Sequence, residues 1–203
     1  MTPSTLAARA VLFLCTAGFA ACTGASSDSA ASDSAATTGT TGTVDSAGAA
    51  AAMTGAGGAA ATLVNAAGDS IGAATFRAEG NEVRIEMTAR ALPDGAHGVH
   101  LHAVGTCEGP SFESAGGHAN PTGAKHGVKN PAGPHAGDLP NAMGGATTSY
   151  SASTSRMTLE GGENAILDAD GTAIVIHADP DDDVTDPSGN SGARIACGVI
   201  SRR

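Results

Sequence analysis

Seven histidines (His97, His100, His102, His118, His126, His135 and His177) all fall between residues 97 and 177 of a 203-residue chain. Any one of them alone is most simply read as a surface or core residue. Seven in so short a span, with Asp138 third after His135, point instead to metal ligation. The spacing adds geometry. His100 and His102 stand two apart in a strand-like stretch, so both rings project from one face, about 6–7 Å apart at Cα, and can chelate one ion. His97 has the opposite parity and is expected to be structural. His177 ends the apolar run Ala173-Ile174-Val175-Ile176 and can add a third imidazole to the same ion. His118, His126, His135 and Asp138 lie in a Gly- and Pro-rich stretch from Gly105 to Asn141. Imidazoles joined by a carboxylate suit zinc, and imidazoles alone suit copper or zinc.

The elements that must carry these residues read as short strands. They cover Ala61 to Asn65, Ser70 to Arg77, Glu82 to Met87, Gly98 to Ala103, Ser149 to Leu159, Ala165 to Leu167, Ala173 to Ala178 and Arg194 to Ile200. Glu82 to Met87 alternates polar and apolar residues, as a half-buried strand does. Gly68-Asp69, Gly80-Asn81 and Pro93-Asp94-Gly95 supply turns. No helical period appears, so the expected fold is all-β, a sandwich or barrel. Two stretches break the rhythm: Gly105 to Asn141, and the acidic Asp179 to Ala193. Loops this long inside a compact domain usually serve function, and the histidines explain what holds the first one down.

Composition divides the chain. Residues 1–60 are mostly Ala, Gly, Ser and Thr, and residues 61–203 form one expected folded domain. The domain's only aromatics are Phe76, Phe112 and Tyr150, so its core is light and is expected to lean on cross-links or metals. Nine bases face seventeen acids in it, a formal charge of −8. That balance argues against nucleic acid and anionic membrane surfaces as partners. At the N-terminus, Arg9 precedes an apolar run from Val11 to Ala21 that reads as an export signal over residues 1–21. Phe19-Ala20-Ala21-Cys22 resembles the lipobox of bacterial lipoproteins, in which the Cys, here Cys22, carries the lipid. Residues 22–60 then read as a flexible tether. Cys15 leaves with the signal. Cys107 and Cys197 remain as one pair in an exported domain, and a disulfide is expected between them.

Five segments, in order, resemble the copper/zinc superoxide dismutases. They are Gly95-Ala96-His97-Gly98-Val99-His100-Leu101-His102 with Gly105-Thr106-Cys107; Ser114-Ala115-Gly116-Gly117-His118-Ala119-Asn120-Pro121; Lys125-His126-Gly127; Gly133-Pro134-His135-Ala136-Gly137-Asp138-Leu139-Pro140-Asn141; and Gly192-Ala193-Arg194-Ile195-Ala196-Cys197-Gly198-Val199-Ile200. The resemblance implies an eight-stranded Greek-key barrel. It implies copper on His100, His102, His118 and His177, and zinc on His118, His126, His135 and Asp138, with His118 bridging the two. It also implies the Cys107–Cys197 disulfide, Arg194 beside the copper, and a carboxylate linking a copper histidine to a zinc histidine. Asp181 fits that last role, with Asp182 and Asp183 as rivals. Val99 and Gly117 depart from the pattern, where an aromatic residue and Pro are common. The loop from Asp179 to Ala193 lacks the steering lysines of some relatives.

The implied activity is dismutation of superoxide to dioxygen and hydrogen peroxide by alternate reduction and reoxidation of copper. In it His118 handles a proton and Arg194 guides the anion. The implied setting is the cell envelope or periplasm, on a lipid anchor, as a monomer or homodimer. An envelope copper-binding or copper-buffering protein on the same barrel is the main alternative. A zinc hydrolase is the third reading, and it lacks a candidate Glu base near the motif. Storage needs neither an anion guide nor a bridged zinc, which favours the enzyme.

Overall fold

The computed structural model describes residues 57–203. The expected signal peptide, the lipidation residue Cys22 and the tether as far as residue 56 lie outside the described residues. Nine strands run β1 (Gly58–Asn65), β2 (Ser70–Glu79), β3 (Glu82–Arg90), β4 (Gly95–His102), β5 (Asp138–Gly144), β6 (Thr147–Thr154), β7 (Ala173–His177), β8 (Arg194–Val199) and β9 (Ser201–Arg202). Eight of them pair side by side in the order β5-β4-β7-β8-β1-β2-β3-β6, and the short β9 pairs with β1. Every paired strand is antiparallel. The two end strands, β5 and β6, are tied by side chains. Tyr150 Oη donates to the Pro140 carbonyl at 2.9 Å and Thr148 Oγ1 to the Met143 carbonyl at 3.1 Å. The expected all-β, eight-stranded barrel is the fold observed.

Alternation builds the core. Val83, Ile85, Met87 and Ala89 of β3 are buried, as are Tyr150 and Ala152 of β6, while Glu82, Glu86, Ser149 and Ser151 face out. β7 is buried on both faces. Ile174 and Ile176 point into the barrel, while Ala173 and Val175 pack outward against Phe112, Ala115 and Cys197. A two-sided apolar strand is the pattern of one covered on both sides. Its outer cover is the segment stapled by Cys107–Cys197, 5.7 Å apart at Cα.

Several strand assignments differ from the sequence reading. β1 starts at Gly58, three residues before the expected boundary, because Ala59 and Ala61 fill the core and Gly58 to Ala60 pair with Thr75 to Arg77. β6 stops at Thr154, and Ala165 to Leu167 is no strand but a single parallel bridge between Thr158 and Ala165. Leu159 and Ile166 are buried there as anchors of a loop, which gives the segment its apolar look. The eighth strand is instead β5, cut from the end of the expected long loop. That loop also holds one turn of 3-10 helix, Glu113–Ala115.

Candidate metal centre

Strand pairing brings the histidines together. Val99 and Leu101 of β4 point into the core, so His100 and His102 share its outer face. His100 pairs with Val175 of β7 on one side and with Asp138 of β5 on the other. His118 lies beside His102 through an isolated bridge, and His177 pairs with Arg194 across β7 and β8. The loop carrying His118 hugs β4 closely: Leu101 donates to the Gly137 carbonyl, and Ala119 donates to the Leu101 carbonyl. A Cβ on Gly137 would sit 2.2 Å from the Leu101 carbonyl oxygen, so only glycine allows this approach.

The side chains form two overlapping sets, His100/His102/His118/His177 and His118/His126/His135/Asp138, each with donor atoms within 4.8 Å of one another. In the first set, three rings spend one nitrogen on an acceptor, and the fourth, His118, turns one towards the second set. His102 Nδ1 donates to the Gly116 carbonyl at 2.9 Å and His177 Nδ1 to the Gly192 carbonyl at 3.2 Å. His100 Nε2 donates to Asp181 at 2.8 Å, and His118 Nδ1 faces Asp138 at 2.9 Å. The remaining nitrogens, His100 Nδ1, His102 Nε2, His118 Nε2 and His177 Nε2, are buried without a hydrogen-bond partner. A buried polar atom left unpaired is costly. Four in one place with bare lone pairs are what a soft or borderline cation requires.

The second set is tighter. His118 Nδ1, His126 Nδ1 and His135 Nδ1 lie 2.9, 3.1 and 3.3 Å from the same oxygen, Asp138 Oδ1, and the Nδ1 atoms of His118 and His135 lie 3.3 Å apart. A tetrahedron with bonds of about 2.0–2.1 Å has edges of about 3.3 Å, so the spacing fits zinc. His126 sharpens the case, because its Nε2 already donates to Asp181 at 2.9 Å. Its Nδ1 lone pair therefore points at a carboxylate oxygen, which repels it unless a cation lies between.

Burial keeps three of these rings neutral. It pulls His102 from an ordinary 6.5 down to about 2, His177 to about 3 and His118 to about 4, with nearby histidines adding to the effect and Asp138 opposing it at His118. Burial works the other way on Asp138, but hydrogen bonds from His118 and the Gly127 N–H outweigh it and hold the carboxyl low. Neutral imidazoles and an ionised carboxylate are the forms that ligate metals.

The other expected residues are placed as follows. His97 is buried apart from both sets, its ring nitrogens facing the carbonyls of His177 and Pro93 at 2.8 and 2.9 Å. Arg194 donates to the Phe112 carbonyl at 2.6 Å and the Gly116 carbonyl at 2.7 Å, so its guanidinium is fixed beside His102 and His177. Asp181 spans the two sets, one oxygen on His100 and the other on His126; its rival Asp182 instead caps its own turn through Val184, Thr185 and Asn190. Cys107 and Cys197 are bonded. Sequence reasoning missed Asn141 as a positioning group. Its amide bonds both the N–H and the carbonyl of Asp181, at 2.8 and 2.9 Å. Lys125 and Lys129 are paired with Asp186 and Asp183 of the acidic loop.

The chain is similar to known proteins in sequence and fold. The family model described as copper/zinc superoxide dismutase (SODC) matches residues 70–200. The chain is 45% identical over 144 residues to "Superoxide dismutase [Cu-Zn] 2" of Aquifex aeolicus, covering 69% of this chain and 84% of that protein. It is 43% identical over 143 residues to the superoxide dismutase-like protein YojM of Bacillus subtilis, covering 68% and 73%. A crystal structure of a SOD-like protein from Bacillus subtilis superposes with a TM-score of 0.65 at 41% identity, covering 68% of this chain and 95% of that one.

Proposed function

Since the chain belongs to the copper/zinc superoxide dismutase family, we propose that it converts two superoxide anions and two protons into dioxygen and hydrogen peroxide at this histidine-rich centre. Copper and zinc are the cofactors of the family. We assign copper to His100, His102, His118 and His177, and zinc to His118, His126, His135 and Asp138, with His118 shared. The observation that carries the assignment is the convergence of four buried, partnerless ring nitrogens in the first set. When bound, copper supplies the one-electron couple and zinc a redox-silent charge.

The chain's own groups do the rest. Arg194 is tied at two of its nitrogens to backbone carbonyls, so its cationic fork meets an incoming anion without having to order itself first. It is half-exposed, between exposed Gly192 and Ala193 and the buried ligands. His118 Nε2, buried and free of other hydrogen bonds, would hold copper, and could carry a proton only when not bound to it. Asp138 keeps the other side of that ring in place. With Lys125 and Lys129 neutralised by their acids, the local attraction of the anion rests on Arg194 and the centre itself.

We place the protein outside the cytoplasm, attached through Cys22. The disulfide and the family fit an oxidising compartment.

Pulse radiolysis of the copper- and zinc-loaded protein tests the reading. Fast, copper-dependent decay of superoxide is expected. Arg194→Ala should lower kcat/KM by roughly 10- to 100-fold, the value of one charged hydrogen-bonding group. No decay above buffer, with both metals shown bound, would leave a copper-binding protein instead. Zinc retention checks the second set. Asp138→Asn removes one of four donors and its charge, about a quarter of the roughly 10–16 kcal/mol typical of such sites. Chelator competition should therefore show zinc binding weakened by about 10²–10³-fold.

A further inference from the structure

Arg156 lies in the loop after β6, distant in sequence from every ligand. Its Nε donates to the carbonyl of His135 at 3.2 Å, and its Nη2 donates to the carbonyl of Asp138. These two carbonyls belong to the last two donors of the second set, at either end of one tight turn that is closed by Asp138 N–H to the His135 carbonyl. The Asp138 carboxylate enters the same turn, accepting from the His135 N–H at 2.9 Å and the Gly127 N–H at 2.9 Å. The guanidinium therefore holds the outside of the turn while the donors converge on its inside.

The platform beneath Arg156 is itself fixed. Its N–H donates to Thr154 Oγ1 at 3.2 Å, and its carbonyl accepts from Asn164 Nδ2 at 3.1 Å. The next residue, Met157, is buried in the barrel core at 3% exposure. Arg156 is thus anchored to the barrel on one side and to the metal loop on the other.

We propose that Arg156 is a positioning residue for zinc, setting where His135 Nδ1 and Asp138 Oδ1 stand relative to His118 and His126. This rests on the zinc assignment above. Donors must be held within about half an ångström for a tetrahedral site to close, and a two-pronged planar donor supplies that restraint where a single ammonium does not. Outer groups of this kind are worth about 10- to 100-fold in metal affinity.

The test uses the full chain, with zinc competed against a chromophoric chelator and Co(II) as a spectroscopic stand-in. Arg156→Met preserves length and packing but has no donors, and Arg156→Lys retains one. Zinc affinity is expected to fall about 10- to 100-fold in Arg156→Met, with partial recovery in Arg156→Lys. The tetrahedral Co(II) bands should broaden or shift in the same order, while copper affinity of the four-histidine set changes by less than about threefold. Wild-type zinc affinity and an unaltered cobalt spectrum in Arg156→Met would overturn the inference. So would equal losses of zinc and copper, which would indicate general loosening. A wild-type chain without tetrahedral Co(II) absorption would overturn the zinc assignment itself, and the inference with it. If Arg156→Met does not fold, Arg156→Lys decides alone: unchanged zinc affinity and cobalt bands overturn the inference, and a loss confined to zinc supports it.

Discussion

The metal-free protein is expected to lose stability as the pH falls from 6.5 to 5. In the folded chain, burial holds His102, His177 and His118 at about 2, 3 and 4, against 6.5 for an exposed ring. A folded value below the unfolded one means that, as pH falls through 6.5, the unfolded chain binds protons that the folded chain refuses. The contribution is therefore intact above pH 6.5 and lost on acidification. At pH 5 each ring forfeits about 2 kcal/mol, so the three together forfeit roughly 6 kcal/mol as an upper bound. That is comparable with the whole stability of a typical domain. Thermal unfolding of the apoprotein, followed by circular dichroism at pH 7.5, 6 and 5, should show Tm falling, by up to about 20 °C. The loaded protein should resist until the metals leave, since ions then occupy the lone pairs that protons would seek. A flat apoprotein Tm across that range would contradict the burial argument.

Cutting the disulfide should cost nearly as much and damage function as well. Cys107 and Cys197 are 90 residues apart, a separation worth about 4–5 kcal/mol in the chain-entropy picture. The double change Cys107→Ser, Cys197→Ser should lower Tm by about 10–20 °C. The loss has a local side too. Cys197 packs with Phe112, Ala115 and Val175, and the Phe112 and Gly116 carbonyls hold Arg194. Loosening that segment frees the guanidinium, so turnover should drop towards that of Arg194→Ala even where the reduced protein is still folded. A reduced protein with an unchanged Tm and full turnover would show that the barrel alone fixes the segment.

What could be read from the sequence depended on whether the governing interaction is local. The pairing of His100 with His102 follows from strand parity within three residues, and the structure places both on the outer face of β4. The neighbouring Asp181 and Asp182 could be separated only by folding. One reaches two histidines and the other caps its own turn, although their local sequence is the same. β5 was hidden because Asp138-Leu139-Pro140-Asn141 has the composition of a turn. Its Pro140 is tolerated because the strand ends the hydrogen-bonded order and that residue faces solvent. The opposite error, a strand over Ala165 to Leu167, arose because an apolar run reports burial and not hydrogen bonding. Arg156 left no trace at all. Its partners are main-chain carbonyls, and every residue has one.

Asp181 places one oxygen on a histidine of each set, and Asn141 holds its main chain by both polar groups. With His118 belonging to both sets as well, the two pockets are joined by two rigid links and are not independent receptors. Linked equilibria must be reciprocal: whatever factor occupancy of one pocket contributes to affinity at the other is returned in full in the opposite direction. The order in which the pockets fill can therefore change the rate of assembly but not its final free energy. On the proposed assignment, the two ions would be bound as a linked pair and not separately.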